Sequence, residues 1–220
     1  AKGTLIVTTD ADCRFDIDWL KTIAAYYEES LAQCIAAPVY IKYKRSLLSI
    51  FQSLDFLTLQ GITGGAIGSR LHTMCNGANF IYTKKAFQEV DGFSGIDNLP
   101  SGDDMLLMQK IAKRYPDDVH FLKSRSAIVT TEPVQTWKSF FNQRIRWSSK
   151  AGHYKDKYIT PILFLVYFFN VCFIVLAVFV IFNPYRLFLL LLFILGKVLI
   201  EFPFVNTVAG FFGYSSLMKY

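Results

Sequence analysis

The sequence has little of what a disulfide scaffold, a zinc domain or a nucleic-acid binder requires. Its four cysteines, Cys13, Cys34, Cys75 and Cys172, form no CxxC pair, and its three histidines, His72, His120 and His153, have no metal-type spacing. That excludes a structural zinc site and favours a reduced compartment. No signal peptide is evident, and the chain opens at Ala1 almost directly in a strand, so it reads as a fragment whose N-terminal portion is missing. Charged residues are scarce at 18%, and they are missing altogether from Ile159 to Phe182 and from Leu187 to Leu195. Such runs belong to a bilayer. The net charge of +6 is compatible with nucleic acid, but Lys138, Arg144, Arg146, Lys150, Lys155 and Lys157 gather just ahead of the first uncharged run. That placement points to membrane lipid at a cytoplasmic surface and not to nucleic acid.

What is present begins with residues 5–12, LIVTTDAD, a β-branched apolar run that stops at two carboxylates, Asp10 and Asp12. The run predicts a strand covered on both faces, with both aspartates at the sheet edge where ligands of α/β proteins collect. Like charges at i and i+2 are tolerated where a hard divalent cation or a solvated rim neutralises them. Residues 15–32 then predict a crossover helix capped by Asp16 or Asp18, and residues 34–41 a strand around Pro38. Strand, helix, strand argues a parallel sheet.

Residues 46–60 carry helical periodicity that is apolar nearly all round, and Gly61, Gly64, Gly65 and Gly68 predict a break into a loop. The stretch from Thr73 to Tyr82 contains Cys75-Asn76-Gly77, where Asn-Gly suits positive φ and close backbone approach. Residues 84–90 predict a short helix, and Ser101-Gly102-Asp103-Asp104 opens an amphipathic one. One aspartate there satisfies the helix dipole; the other is available to a cleft as a general base. Two short strands at 119–122 and 127–131 precede a helix over 135–150, whose Trp137, Phe140, Phe141, Ile145 and Trp147 share one arc. On it Gln143 neighbours Arg146 and Trp147, an amide, a cation and an indole suited to a phosphate and a ring. Interfacial anchoring explains the same residues equally well. Spans at about 159–182 and 187–204 follow, the second carrying Lys197 and Glu201 at i and i+4, where an ion pair is expected.

Taken in order, TDADC at 9–13, SGDD at 101–104 and QRIRW at 143–147, followed by membrane spans, resemble the membrane-bound family 2 glycosyltransferases, relatives of cellulose and hyaluronan synthases. The resemblance implies an α/β fold of GT-A type (Rossmann-like), present as a partial domain over 1–134. An interfacial amphipathic helix over 135–158 and a transmembrane helical hairpin over 159–220 complete it. It implies Asp10 and Asp12 as the DxD motif holding Mg²⁺ or Mn²⁺ and the donor diphosphate, and Asp104 as catalytic base beside Asp103. Gln143, Arg144, Arg146 and Trp147 would stand at donor and acceptor, with Cys75, Asn76 and Gly77 receiving the acceptor end. The implied reaction is inverting transfer from a UDP- or GDP-sugar to a lipid-linked or polysaccharide acceptor, in a multi-pass protein of the cell (inner) membrane with its catalytic domain cytoplasmic. Gly-Asp-Asp stands where polymer synthases often have Thr-Glu-Asp. The resemblance also implies that the family's N-terminal nucleotide-binding half is absent from this sequence. The residues alone leave two rivals, another metal-dependent nucleotidyl or phosphosugar transferase and a non-enzymatic membrane scaffold.

Overall fold

The computed structural model describes residues 2–71, 74–96, 102–148 and 159–215. Thr73, Ser101, Lys150, Lys155 and Lys157, named above, lie outside them. A four-stranded sheet has the order β1 (Leu5–Thr8), β5 (Phe80–Thr83), β3 (Cys34–Ala36), β6 (Val119–Phe121). A smaller sheet has the order β2 (Arg14–Phe15), β7 (Val129–Thr131), β4 (Val39–Ile41).

The expected parallel sheet is mixed instead. β3 and β6 are parallel, but β5 runs antiparallel to both β1 and β3 and separates them. The strand, helix, strand pattern cannot reveal a third strand inserted later in the chain. Nor is β1 covered on both faces: it is half-buried and, among the described residues, pairs on one edge only. It ends at Thr8 because Cys13 N–H bonds back to the Asp10 carbonyl (3.1 Å) and turns the chain. Residues 34–41 form two strands in different sheets, β3 and β4. The Pro38 carbonyl at their corner accepts from Val129 N–H (3.0 Å), since a proline offers no amide to continue one ladder.

Two apolar layers sandwich the larger sheet. On one face Ile35 and Ile81 pack with Trp19 and Ile23 of α1 (Trp19–Ser30); on the other Phe80 and Tyr82 pack with Leu107, Met108 and Ile111 of α4 (Asp103–Arg114). Asp18 is the α1 N-cap residue but makes no side-chain cap bond. The short α3 (Lys84–Glu89) is capped by the Thr83 hydroxyl, which accepts from Ala86 N–H (3.0 Å).

α2 (Leu47–Gly68) runs straight through the glycines expected to break it. Its Ser46 cap accepts from Ser49 N–H (3.2 Å), and tertiary contact replaces propensity at the far end. A Cβ on Gly61 would stand 2.5 Å from Val208, and one on Gly64 3.1 Å from Phe121, so these glycines admit neighbours where a side chain would exclude them. The buried face of α2 is partly polar for a reason: Gln60 Oε1 accepts from Val39 N–H (3.0 Å) and the Ser53 hydroxyl donates to the Ile41 carbonyl (2.9 Å). Together they cover the outer edge of β4.

α5 (Trp137–Ser148) leads to α6 (Ile159–Phe182) and α7 (Arg186–Phe211), joined by a turn at Asn183-Pro184-Tyr185. Both α6 and α7 are long and apolar enough to cross a membrane, and their apolar surfaces are not buried inside the protein. They pack through Phe169 and Phe193, whose rings stack at 5.1 Å. Lys197 and Glu201 form the expected ion pair. α7 extends past the expected end at 204, because its last turns dock on α2 through Val208 and Ala209 rather than stopping in lipid. Arg125 secures that end by donating from Nε to the Phe211 carbonyl (2.8 Å) and from Nη2 to the Gly210 carbonyl (2.8 Å), satisfying acceptors that a helix terminus leaves free.

Candidate active site

The site forms where the larger sheet ends. Thr8, the last residue of β1, donates its hydroxyl to the Gly77 carbonyl (2.7 Å), with the Phe80 carbonyl also in reach (2.9 Å). Gly77 N–H donates in turn to Asp104 Oδ2 at 2.6 Å. The segment following Asn76 is a 3-10 turn over Gly77–Asn79, started by Asn76 Oδ1 accepting from Ala78 N–H (3.0 Å). Gly77 does not adopt the positive φ that Asn-Gly suggested. Its requirement is space, since a Cβ there would meet Asp104 Oδ2 at 3.2 Å. Asn79 anchors the turn from beneath: fully buried, it donates to the Pro38 and Ala127 carbonyls (2.8 and 2.7 Å) and accepts from Trp19 Nε1 (3.2 Å).

Asp104 sits in the first turn of α4, which starts at Gly102 with φ 96, a conformation that glycine adopts without a Cβ clash. Its Oδ1 accepts from Met105 N–H (2.8 Å), so both oxygens are oriented by backbone donors. Asp103 is exposed beside it, and Cys75 is half-buried. Lys113 and Arg114 close the same helix, matching acid and base to the two ends of its dipole.

Asp10 and Asp12 are exposed beyond β1, and with Cys13 they place potential ligand atoms within 4.8 Å of one another. Asp12 is tethered to β7 by the Thr131 hydroxyl (3.3 Å). Two carboxylates with open solvent positions suit a hard divalent cation. The thiol suits it less, because soft sulfur favours softer metals than Mg²⁺ or Mn²⁺; burial, the largest influence, pushes the Cys13 thiol up.

α5 divides the one apolar arc expected of it between an inward and an outward face. Phe140 is buried, and Arg144 and Trp147 are half-buried on α2; Trp137, Phe141 and Ile145 form a separate stripe pointing outward, each at least 45% exposed. The i, i+4, i+7 set turns inward and the i, i+4, i+8 set outward. Arg146 lies on the exposed side, while Gln143 is half-buried and its Oε1 is buried with no hydrogen-bond partner among the described residues. Arg144 is paired with Asp55 of α2. Desolvation, the largest influence on each, pushes Asp55 up and Arg144 down, and each partner pulls the other back.

A cavity of about 570 Å³ lies elsewhere, between the glycine face of α2, β6 and the end of α7, and holds none of these residues.

The family model for glycosyl transferase family group 2 matches residues 5–214. The chain belongs to this family. No curated protein matches it. Membership in glycosyl transferase family group 2 makes the chemistry glycosyl transfer, and implies a nucleotide-sugar donor and a glycan acceptor in general terms. The α/β architecture with two apolar helices at its C-terminal side is in keeping with a GT-A domain of the family. Sequence reasoning passed over Thr8, Thr131, Asn79 and Asp55. Only Asp55 left a signal, as the one charge between Ser46 and Ser69.

Proposed function

We propose that the chain carries catalytic and membrane-anchoring residues of an inverting, divalent-metal-dependent glycosyltransferase. It moves a sugar from a UDP- or GDP-sugar to a lipid-linked or polysaccharide acceptor at the cytoplasmic face of the cell (inner) membrane. The observation that carries the reading is the hydrogen-bonded chain Thr8, Gly77, Asp104, which ties the sheet end bearing Asp10 and Asp12 to a single oriented carboxylate. The catalytic part covers 1–134, the interfacial helix 135–158 and the membrane hairpin 159–220.

Asp10 and Asp12 would hold Mg²⁺ or Mn²⁺, which supplies Lewis-acid stabilisation of the leaving diphosphate. Asp104 takes the proton of the acceptor hydroxyl as its oxygen bonds to the anomeric carbon and the bond to the diphosphate breaks. One displacement without a protein nucleophile inverts the configuration. Arg146 answers the charge growing on the leaving group, Trp147 offers a ring face, and the open Gln143 Oε1 accepts from a sugar or acceptor hydroxyl. Cys75, Asn76 and Gly77 border the acceptor beside Asp104, and Asp103 borders it from the solvent side. The exposed Trp137, Phe141, Ile145 stripe lies in the lipid interface.

The test is nucleotide release by the full-length protein in membranes, over a panel of UDP- and GDP-sugars with Mg²⁺ or Mn²⁺. Asp104→Asn is expected to retain donor binding and lose at least 100-fold in transfer, a base's usual contribution being about 10²–10⁴-fold; Asp12→Asn is expected to lose both. Normal turnover in Asp104→Asn would overturn the base assignment, and release of pyrophosphate instead of a nucleoside diphosphate would point to nucleotidyl transfer.

A further inference from the structure

α2 and α5 meet along a series of matched contacts. At the start of α5, the Gln52 amide donates to the Val134 carbonyl (3.0 Å) and accepts from Val134 N–H (3.1 Å). One step on, Phe51 meets Phe140 edge to face at 5.6 Å. Then Asp55 meets Arg144, and finally Phe56 meets Trp147 at 6.0 Å. Only the third contact is ionic, and it is central: the Arg144 guanidinium lies over Phe140 at 4.9 Å and over Trp147 at 4.4 Å. The guanidinium is thus a spacer between two rings on its own helix, and its position is set from the opposite helix. At 21% exposure the Arg144 side chain is mostly shut off from solvent, and its charge is already answered by Asp55. A guanidinium committed in this way is poorly suited to leave for a diphosphate.

We infer that Asp55 is a positioning residue for the Gln143–Trp147 segment, acting through Arg144, and that Arg144 is not itself a donor ligand. The inference rests on the glycosyl-transfer reading of that segment. Asp55 fixes the rotation of α5, and the rotation decides whether Trp147 and the open Gln143 Oε1 face the reacting sugar. A helix is 3.6 residues per turn, so a slip of one residue turns each side chain by about 100°. Packing of Phe51 and Phe56 alone tolerates such a slip better than an ion pair does, because apolar contacts are not directional.

The experiment is a double-mutant cycle in the full-length protein in nanodiscs, reading nucleoside diphosphate release from UDP-glucose, UDP-N-acetylglucosamine and GDP-mannose. Asp55→Asn and Arg144→Met are each expected to lower kcat at least tenfold with the donor KM within threefold of wild type. The double variant is expected to be no worse than the weaker single, because residues acting as one unit are not additive. Asp55→Glu, which keeps the charge, is expected to recover part of kcat. Asp55→Asn strands a cation and can fail to fold; the double variant strands none and keeps the test decisive. An Asp55→Asn turnover within twofold of wild type overturns the inference. So does an Arg144→Met defect that appears as a tenfold rise in donor KM not shared by Asp55→Asn, which would make Arg144 a donor contact. A wild type that releases nothing from any donor overturns the glycosyl-transfer reading itself, whereas an active wild type with an indifferent Asp55→Asn removes only the role of Asp55.

Discussion

Asn79 uses three polar contacts to join pieces of chain that are far apart in sequence: α1 through Trp19, the β3–β4 corner through Pro38, and the approach to β7 through Ala127. It holds the turn that presents Gly77 to Asp104. Replacing it by alanine leaves the Ala127 carbonyl and the Trp19 indole N–H unpaired, at about 1–3 kcal/mol for each unsatisfied group before relaxation, and takes one of two donors from the Pro38 carbonyl, which keeps Val129 N–H. Asn79→Ala is therefore expected to lower the apparent melting temperature of the full-length protein by several degrees and to slow transfer. A melting curve overlapping wild type would show that the turn stands without it. Thr8 belongs to the same circuit, one residue removed from the aspartates it helps to aim.

α2 shows how an element can be kept helical against its composition. Glycine costs about 1 kcal/mol relative to alanine in a helix interior, yet all four glycines near its end remain helical. They do not share one reason. Gly61 admits Val208 and Phe204, whereas a Cβ on Gly65 would meet nothing within 4 Å. Gly65→Ala is accordingly expected to raise thermal stability slightly, by up to about 1 kcal/mol. Gly61→Ala is expected to lower it, by about 1–3 kcal/mol as the crowded methyl displaces α7. Thermal unfolding of the two variants side by side checks the pair, and equal shifts would mean that α7 does not rest on α2 as described. The same helix carries Asp55 about two turns earlier, so α2 touches both the membrane hairpin and the helix of the QRIRW motif.

On the scale of the whole molecule, α7 returns to the domain that α6 leaves. Tyr40 stacks on Tyr214 at 4.2 Å just beyond the end of α7, and Arg125 holds the last carbonyls of that helix. At 1.5 Å per residue a helix of 26 residues exceeds a hydrocarbon core of about 30 Å. The proposed membrane hairpin therefore predicts that its final turns emerge on the side of the α/β domain and that the turn containing Tyr185, which is 92% exposed, lies on the opposite side of the bilayer. In sealed cells a cysteine replacing Tyr185 is expected to react with a membrane-impermeant maleimide, while one replacing Arg70 in the domain reacts only after permeabilisation. Equal labelling of both before permeabilisation would remove the hairpin from the membrane.

The family could be read along the chain because the motifs that point to it are local: Asp10 with Asp12, Asp103 with Asp104, and the QRIRW run are short, and their order points to one family, whose model matches residues 5–214. Helix periods, the two apolar spans and the Lys197–Glu201 pair are local too, since i and i+4 meet on any helix. What the tertiary structure decided is everything that depends on a partner distant in sequence. β5 enters between β1 and β3 because strand order is set by pairing, which no periodicity records. Gly61 and Gly64 of α2 make room for α7 and for Phe121 where a side chain would exclude them, and Gly77 serves Asp104 by its smallness rather than by its φ. Arg144 reads as one more basic residue of a motif until Asp55, far back on another helix, is found against it. Spacing along the chain reports which groups are available, and packing across it determines which of them are already spoken for.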